Sequence, residues 1–175
     1  MESVYLSLGG NVGDVKANML RCLLTITNDT ICDIEKVSSL YRTPPWGKID
    51  QDWFYNCCIQ IKTKLLPNQL LDYCKSIEIL LGRVDTVRWG PRVIDIDILL
   101  YKNIVEYSDE FLTIPHRYML ERAFVLLPLY EIAPNLTIKG KRLSNYILEL
   151  DSNDVENIQL CVDNNWNNIA MSSSL

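Results

Sequence analysis

The hydrophobic and polar positions along the chain follow the two-residue period of strands and the longer period of helices in turn. Alternation over residues 3–8 predicts a first strand. Gly9, Gly10 and Gly13 then predict a loop, and Asp14 is a suitable N-cap for the helix that follows. This helix has an apolar stripe at helical spacing, formed by Met19, Cys22, Leu23 and Ile26.

The same succession of strand and helix is repeated in the next part of the chain. An extended segment over residues 34–42 ends at Pro44, Pro45 and Gly47, which predict a loop. Residues 54–64 alternate again and predict a strand. Pro67 then suits the first position of a helix that ends near Gly82.

The second half of the chain predicts further strands and helices. An arginine-rich polar loop over residues 82–91 precedes a strongly β-forming segment over 93–101. Lys102 and Asn103 predict a turn into Ile104 and Val105, and hence a hairpin. Helices are expected over residues 121–132, interrupted by Pro128, and over 143–150.

This order of elements predicts an α+β fold with helices packed on a mixed or antiparallel sheet. The length of 175 residues, 48% of them apolar, suits one domain over residues 1–160. The Asn- and Ser-rich residues at the end predict a weakly specified tail, partly disordered, over 161–175.

The charge and the cysteines narrow the class of protein. A formal net charge of −5 argues against a nucleic-acid partner, since such proteins carry a clustered basic surplus. No apolar run is long enough for a membrane helix, and the N-terminus does not resemble a signal peptide, so we expect a soluble cytoplasmic protein. The six cysteines form no C-x-x-C pair and are expected to be reduced and mostly buried.

Asp95 and Asp97 are the strongest candidates for chemistry. On a strand they share one face while Ile94, Ile96 and Ile98 share the other. Carboxylates roughly 6 to 7 Å apart in this geometry repel by about 2.5 kcal/mol, so a cation should compensate them. Such a pair suits Mg²⁺ in phosphoryl transfer, and the alternative is a strand face that only meets water.

Other residues suit a polyphosphate and a flat heterocycle. Arg83, Arg88 and Arg92 can bind phosphate oxygens, and no P-loop motif is present. His116 lies between cationic residues and could donate to phosphate, or it could be purely structural. Phe54 and Asn56 on one strand face would suit a pterin or purine edge, although a phenylalanine on a strand more often belongs to the core.

Taken together, seven segments resemble the 6-hydroxymethyl-7,8-dihydropterin pyrophosphokinase family. In family order they are SLGGNVGD (7–14), SSLYRTPPWG (38–47), FYN (54–56), IEILLGR (77–83), RWGPRVIDIDILLY (88–101), TIPH (113–116) and ERAFVLLPLYEIAP (121–134). The resemblance implies a ferredoxin-like α/β/α sandwich. It also implies transfer of a diphosphate from Mg·ATP to the hydroxymethyl group of the dihydropterin, with release of AMP, by what we expect to be a monomer.

The resemblance further implies a role for each matching residue. Two Mg²⁺ ions would be held by Asp95 and Asp97. The residues expected to contact ATP are Leu71, Arg83, Arg88, Arg92, Ile98, Thr113, His116 and Arg122. Trp89 would belong to the catalytic loop. The residues expected to bind the pterin are Thr43, Pro44, Trp46, Phe54, Asn56 and Phe124.

The chain departs from the family pattern at a few positions. Asp85 and Thr86 stand where basic residues are usual, Arg117 stands where an uncharged residue is common, and Gly10 replaces a more usual serine. We therefore expect Asp85→Arg to tighten Mg·ATP binding or to speed turnover.

Two other readings of the site stay open at this point. One is a different D-x-D enzyme, either a nucleotidyltransferase or a phosphohydrolase. The other is a non-catalytic ferredoxin-like module that binds ligands. In any of these readings, Asp95→Ala and Asp97→Ala should each leave the metal-free stability unchanged or higher, because each removes one of two like charges.

Overall fold

The computed structural model describes residues 1–45, 50–84, 90–162 and 166–168, and its centre is a six-stranded sheet. The larger elements are β1 (Glu2–Gly10), α1 (Val15–Asn28), β2 (Cys32–Val37), β3 (Leu40–Thr43), β4 (Phe54–Thr63), α2 (Pro67–Leu80), β5 (Asp95–Tyr101) and α3 (Ala123–Ile132). The shorter ones are β6 (Tyr107–Ser108), β7 (Thr113–Ile114), a 3₁₀ turn (Met119–Glu121), β8 (Thr137–Ile138), β9 (Lys141–Arg142), α4 (Leu143–Leu148), α5 (Ser152–Glu156) and β10 (Gln159–Val162).

The strand order of the central sheet is β10-β3-β4-β1-β5, and β2 also pairs with β4. Every pairing in this sheet is antiparallel. The order along the chain from β1 to β5 is β-α-β-β-α-β, with β2 and β3 sharing the place of the second strand. The predicted α+β, ferredoxin-like fold and the predicted antiparallel sheet are therefore confirmed.

Helices cover both faces of the sheet. Helices α1 and α2 pack on one face against β1, β2 and β5, whereas α3 packs on β3 and β4. Strand β4 shows that these are opposite faces, since the Cys58 thiol donates to the Val125 carbonyl of α3 at 3.5 Å while Cys57 lies toward Cys22 of α1. The chain thus forms three layers, α/β/α.

The predicted strand and loop boundaries need correction in two places. Gly9 and Gly10 belong to β1, not to a loop, because they pair with Asn56 and Tyr55 on β4. The single extended segment over 34–42 is divided into β2 and β3. The predicted N-cap is confirmed: the Asp14 carboxylate accepts a hydrogen bond from the Ala17 amide at 3.0 Å, and the stripe below it is buried.

The predicted hairpin at residues 102–105 is wrong. Lys102 and Asn103 do form a turn, but Ile104 and Val105 are not in a strand. Strand β5 pairs instead with β1, and the Lys102 amide donates to the Ser3 carbonyl at 2.8 Å. The short hairpin in this part of the chain is formed later, by β6 and β7.

Part of the segment predicted as a weakly specified tail has regular structure and contacts the rest of the chain. Strand β10 pairs with β3, and the Trp166 indole donates to the Ser38 carbonyl at 2.9 Å. The boundary between a domain over 1–160 and a tail over 161–175 therefore falls inside β10. Residues 163–165 and 169–175 lie outside the described part of the chain.

The cysteines belong mainly to the core. All six are free, and five of them are buried. Burial raises the pKa of the Cys22 thiol to about 12, which makes it an unreactive apolar side chain. Among the helices that the structure describes, none has the length and apolar character to cross a membrane.

Candidate active site

Asp95 and Asp97 lie on the sheet face opposite to α1 and α2. Their partners on β1 are Gly9 and Ser7, and Ile96 and Ile98 between and after them are buried on the other face. This arrangement confirms the predicted division of the strand into a carboxylate face and an apolar face. The two carboxylates therefore point away from the core that α1 and α2 cover.

Arginines compensate the two carboxylates, as expected. Arg83 Nη1 donates to Asp95 Oδ1 at 2.6 Å, and Arg92 Nη1 donates to Asp95 Oδ2. Arg122 Nη1 lies 3.8 Å from Asp97 Oδ2, which is a looser ion pair. Asp95 is therefore tightly neutralised by two guanidinium groups, and Asp97 is not.

Burial and the neighbouring Asp95 raise the pKa of Asp97 to about 6, although Arg122 and Arg92 act in the opposite direction. Because ionisation of Asp97 is unfavourable here, a cation with more charge than one arginine would stabilise its carboxylate form. In the described ranges, no cluster of three or more histidine, cysteine or acidic side chains surrounds a metal position. Two carboxylates with room for substrate oxygens are the donor set that Mg²⁺ uses beside phosphates, so these residues fit that ion.

Glu78 supports the site from behind, and sequence reasoning missed it. Its carboxylate is buried, accepts a hydrogen bond from the Ile96 amide at 2.6 Å, and pairs with Arg83. Burial raises the pKa of Glu78 to about 7. A charged residue within the apolar stripe of α2, between Cys74 and Leu81, is the signal that could have revealed it.

His116 is held beside β5 as a neutral imidazole. Its amide donates to the Leu99 carbonyl at 2.8 Å, and its Nδ1 accepts from the Tyr118 amide at 3.3 Å. Burial and Arg122 lower the pKa of His116 to about 4. With Nδ1 as an acceptor, the proton is on Nε2, which is then a neutral donor.

A cavity of about 290 Å³ collects most of the residues expected to bind the pterin: Thr43, Pro44, Phe54, Asn56 and Phe124. Asn56 Nδ2 donates to Thr43 Oγ1 at 2.9 Å, which fixes the orientation of the amide. The second N–H and the oxygen of the amide can then form hydrogen bonds with a ligand. A Cβ at Gly9 would lie 2.9 Å from Asn56 Oδ1, so a glycine is needed beside this amide. Trp46 lies outside the described residues.

A second cavity, of about 300 Å³, lies beside the first. It brings together Leu71, Ile98 and Thr113, which are three of the residues expected to contact ATP, and Arg117 also lines it. Asp97, His116 and Tyr118 line both cavities, so the two adjoin at these side chains. The Arg122 guanidinium lies 5.4 Å from the centre of the Tyr118 ring and 5.6 Å from that of Phe124.

Tyr118 is a second residue that sequence reasoning missed, and it follows the TIPH segment by two positions. Several expected residues fall outside the description: Asp85, Thr86, Arg88 and Trp89. The expectation for Asp85→Arg therefore stays a prediction.

Comparison with known proteins agrees with this geometry. Residues 5–134 match the model of the 7,8-dihydro-6-hydroxymethylpterin-pyrophosphokinase (HPPK) family. The 2-amino-4-hydroxy-6-hydroxymethyldihydropteridine pyrophosphokinase of Methylorubrum extorquens is 46% identical over 159 residues, which cover 91% of this chain and 100% of that protein. One from Bacillus subtilis is 44% identical over 128 residues, covering 73% of this chain and 76% of that protein.

A solved structure shows the same fold in a longer protein. The wild-type HPPK-DHPS protein of Plasmodium falciparum superposes with a TM-score of 0.67 at 19% identity, over 85% of this chain. This chain spans only 41% of that two-part protein. The fold, the family match and the two close relatives lead to one conclusion: the chain belongs to the HPPK family.

Proposed function

We propose that this chain transfers a diphosphate from ATP to 6-hydroxymethyl-7,8-dihydropterin, with the pterin in the first cavity and the nucleotide in the second. The observation that carries this proposal is the junction of the two cavities at Asp97 and His116. A reacting oxygen in one cavity and a polyphosphate in the other would meet beside the carboxylate pair. Holding two reactants in this way is a large part of catalysis in phosphoryl transfer.

The pterin is bound by stacking and by its polar edge. Phe54 and Phe124 line its cavity and offer aromatic faces to a flat ring. Asn56 offers an in-plane N–H and oxygen, held in place by Thr43. A heterocycle whose edge cannot pair with the Asn56 N–H and oxygen would leave these groups without hydrogen bonds. Such a site discriminates strongly between heterocycles.

Asp95 and Asp97 are the residues that would hold two Mg²⁺ ions together with the phosphates of ATP. When bound, the metal neutralises phosphate charge and orients the transferred group. To hold a metal, Asp95 would have to give up its contacts with Arg83 and Arg92. Arg92, which lines the first cavity, and Arg83 would then become available to phosphate oxygens.

The remaining polar groups act on the polyphosphate. His116 donates from Nε2 without adding charge, and Arg122 neutralises charge while its position is fixed against Tyr118. The hydroxymethyl oxygen attacks the β-phosphorus and its proton is lost to solvent, the bond from that phosphorus to the oxygen bridging it to the α-phosphorus breaks, and that oxygen leaves with AMP. Electrostatic stabilisation by these fixed groups supplies most of the rate.

Identification of the nucleotide product tests this function. With Mg·ATP and the dihydropterin, the chain should form AMP and pterin diphosphate in equal amounts, and neither when the pterin is omitted. ADP or free phosphate without pterin would favour the other D-x-D enzymes. Nucleotide binding without turnover would favour a non-catalytic module. The cytoplasmic location, the monomeric state and the number of Mg²⁺ ions stay predictions.

A further inference from the structure

Asn11 lies immediately after β1 and joins two segments that are far apart in the sequence. Its Nδ2 donates to the Gln51 side-chain oxygen at 3.1 Å and to the Asp52 carbonyl at 3.0 Å. Its Oδ1 accepts from the Arg92 amide at 2.9 Å. The residue is only 6% exposed, so both ends of the amide are used inside the protein.

The backbone around Asn11 strengthens the same connection. The Asn11 and Val12 amides both donate to the Arg92 carbonyl, at 2.9 and 3.2 Å. The close approach requires Gly10, because a Cβ there would lie 2.6 Å from the Val93 carbonyl oxygen. Arg92 is therefore held at its amide and at its carbonyl, and the departure from the usual serine at position 10 has a structural consequence.

The two segments that Asn11 joins lead to different groups of residues around the first cavity. Gln51 and Asp52 directly precede the β4 residues Phe54 and Asn56, which line the pterin cavity. Arg92 reaches with its side chain to Asp95, the metal ligand. A displacement of either segment is therefore expected to shift the other, because the buried side-chain amide of Asn11 bonds to both.

We propose that Asn11 is a positioning residue that couples the pterin side of the site to the phosphate side. The proposal rests on the proposed function, because it assumes that the pterin lies beside Phe54 and Asn56 and that the phosphates lie beside Arg92 and Asp95. Its consequence is energetic: each substrate orders the segment that Asn11 ties to the other, so the binding of one tightens the binding of the other. Cutting the amide contacts removes this coupling and leaves each single binding event nearly unchanged.

The test compares pterin affinity with and without the Mg²⁺ complex of a methylene-bridged ATP analogue that cannot transfer its diphosphate. We expect the analogue to tighten pterin binding by at least about fivefold in the parent protein. Asn11→Ala should lose most of this factor. Asn11→Asp keeps the acceptor for the Arg92 amide but cannot donate to Gln51 and Asp52, so it should also lose coupling while it binds the analogue alone as the parent does.

Asn18→Ala is the matched control. Asn18 is a half-buried asparagine in the first turn of α1 that donates to the Val12 carbonyl at 3.2 Å, without a hydrogen bond to Gln51, Asp52 or Arg92. It should keep the parent coupling factor. If Asn11→Ala does not fold, Asn11→Asp and Gln51→Ala decide the question.

Three results separate this proposal from the proposed function. Undiminished coupling in the folded Asn11 variants overturns the proposal, and so does a parent protein that binds both ligands without coupling. A parent protein that binds neither ligand, or that forms no AMP from Mg·ATP and the dihydropterin, contradicts the proposed function and the coupling with it.

Discussion

Asp95 and Asp97 are equivalent in the sequence, but they lie in different electrostatic surroundings. Asp95 accepts from both Arg83 and Arg92, whereas Arg122 stands 3.8 Å from Asp97. Because the charge of Asp95 is compensated, its removal leaves two arginines without their carboxylate. We therefore keep the expectation of equal or higher stability for the removal of Asp97, and we expect the opposite sign for the removal of Asp95.

Asp97→Asn should abolish most turnover and raise the free energy of unfolding of the metal-free protein at pH 7.5. The folded pKa is about 6 against an ordinary value of 3.8, so ionisation opposes folding. The cost is absent below about pH 4 and complete above about pH 6. For a side chain that is 37% exposed, the gain after solvent screening is about 1 kcal/mol. Urea unfolding in EDTA at pH 4 and pH 7.5 measures it.

Asp95→Asn is the isosteric counterpart, and its expected sign is opposite. Loss of the two charge-assisted hydrogen bonds should lower the free energy of unfolding by about 2 kcal/mol under the same metal-free conditions. Turnover should fall as for Asp97→Asn. Equal stability changes for the two variants would contradict the asymmetry between the two carboxylates.

Asn56→Ala should weaken pterin binding by roughly 1 to 3 kcal/mol and leave nucleotide binding nearly unchanged. The reason is that pterin edge groups lose an in-plane partner in the first cavity, while the second cavity is intact. Separate titrations of the two ligands measure it. Thr43→Val removes the bond that orients the amide and should give a smaller loss of the same kind. Equal weakening of both ligands in Asn56→Ala would indicate a folding defect.

At the scale of elements, local patterns were sufficient where the partner is near in the sequence. The cap at Asp14, the stripe of α1 and the alternation of β4 are local signals, and the structure has all three. The predicted hairpin is wrong because β5 does not pair with the residues that follow the turn. The Lys102 amide at that turn donates to the carbonyl of Ser3, on the distant strand β1. Strand β10 was missed because its pairing partner, β3, lies more than a hundred residues earlier.

Strand β10 gives a prediction at this scale. A chain that ends at residue 157 should unfold at a lower temperature than the full chain, because β3 loses its pairing with β10 and the bond from Trp166 to Ser38. Pterin binding should weaken more than nucleotide binding, since β3 ends at Thr43, which holds Asn56. Thermal unfolding and the two titrations measure these effects.

Leu160→Ala is the control for the truncation. Its side chain is 61% exposed and its backbone keeps the pairing with Tyr41, so its effect should be within about 0.5 kcal/mol. If the truncated chain is as stable as the full chain, the pairing of β10 contributes nothing to the fold. If instead the point substitution is as costly as the truncation, the side chain matters more than the strand.

At the scale of the whole molecule, the sequence revealed the residues that line the site better than those that support it. Phe54, Asn56, Asp95 and Asp97 could be predicted because alternation on a strand assigns a face to each. Glu78 and Asn11 act through contacts between distant segments, and neither has a local pattern that names its partner. Their roles depend on which distant segments pack against them in the folded chain, and local sequence patterns do not predict such contacts.

The charges of the whole site give the last prediction. The ion-paired groups described around Asp95 are formally balanced, with Arg83, Arg92 and Arg122 facing Glu78, Asp95 and Asp97. A nucleoside triphosphate brings about four negative charges, which two divalent cations roughly balance. Either one alone leaves a charge imbalance inside a partly buried site of a chain whose net charge is −5.

We therefore expect Mg²⁺ and nucleotide to bind together and each to bind poorly alone. Mg²⁺ without nucleotide must displace Arg83 and Arg92 from Asp95, so that Arg92 loses its carboxylate partner and Arg83 keeps only Glu78, whereas with ATP the phosphates replace the Asp95 carboxylate as their partner. Calorimetric titration of Mg²⁺ should show binding at least about tenfold tighter with the methylene-bridged ATP analogue present than without it. In Asp95→Asn the arginines are already released, so the metal-free protein should bind the analogue more tightly than the parent does. If Mg²⁺ alone binds the parent as tightly as it does with the analogue, the arginines do not compete with the metal for Asp95, and the exchange of partners proposed for this site is wrong.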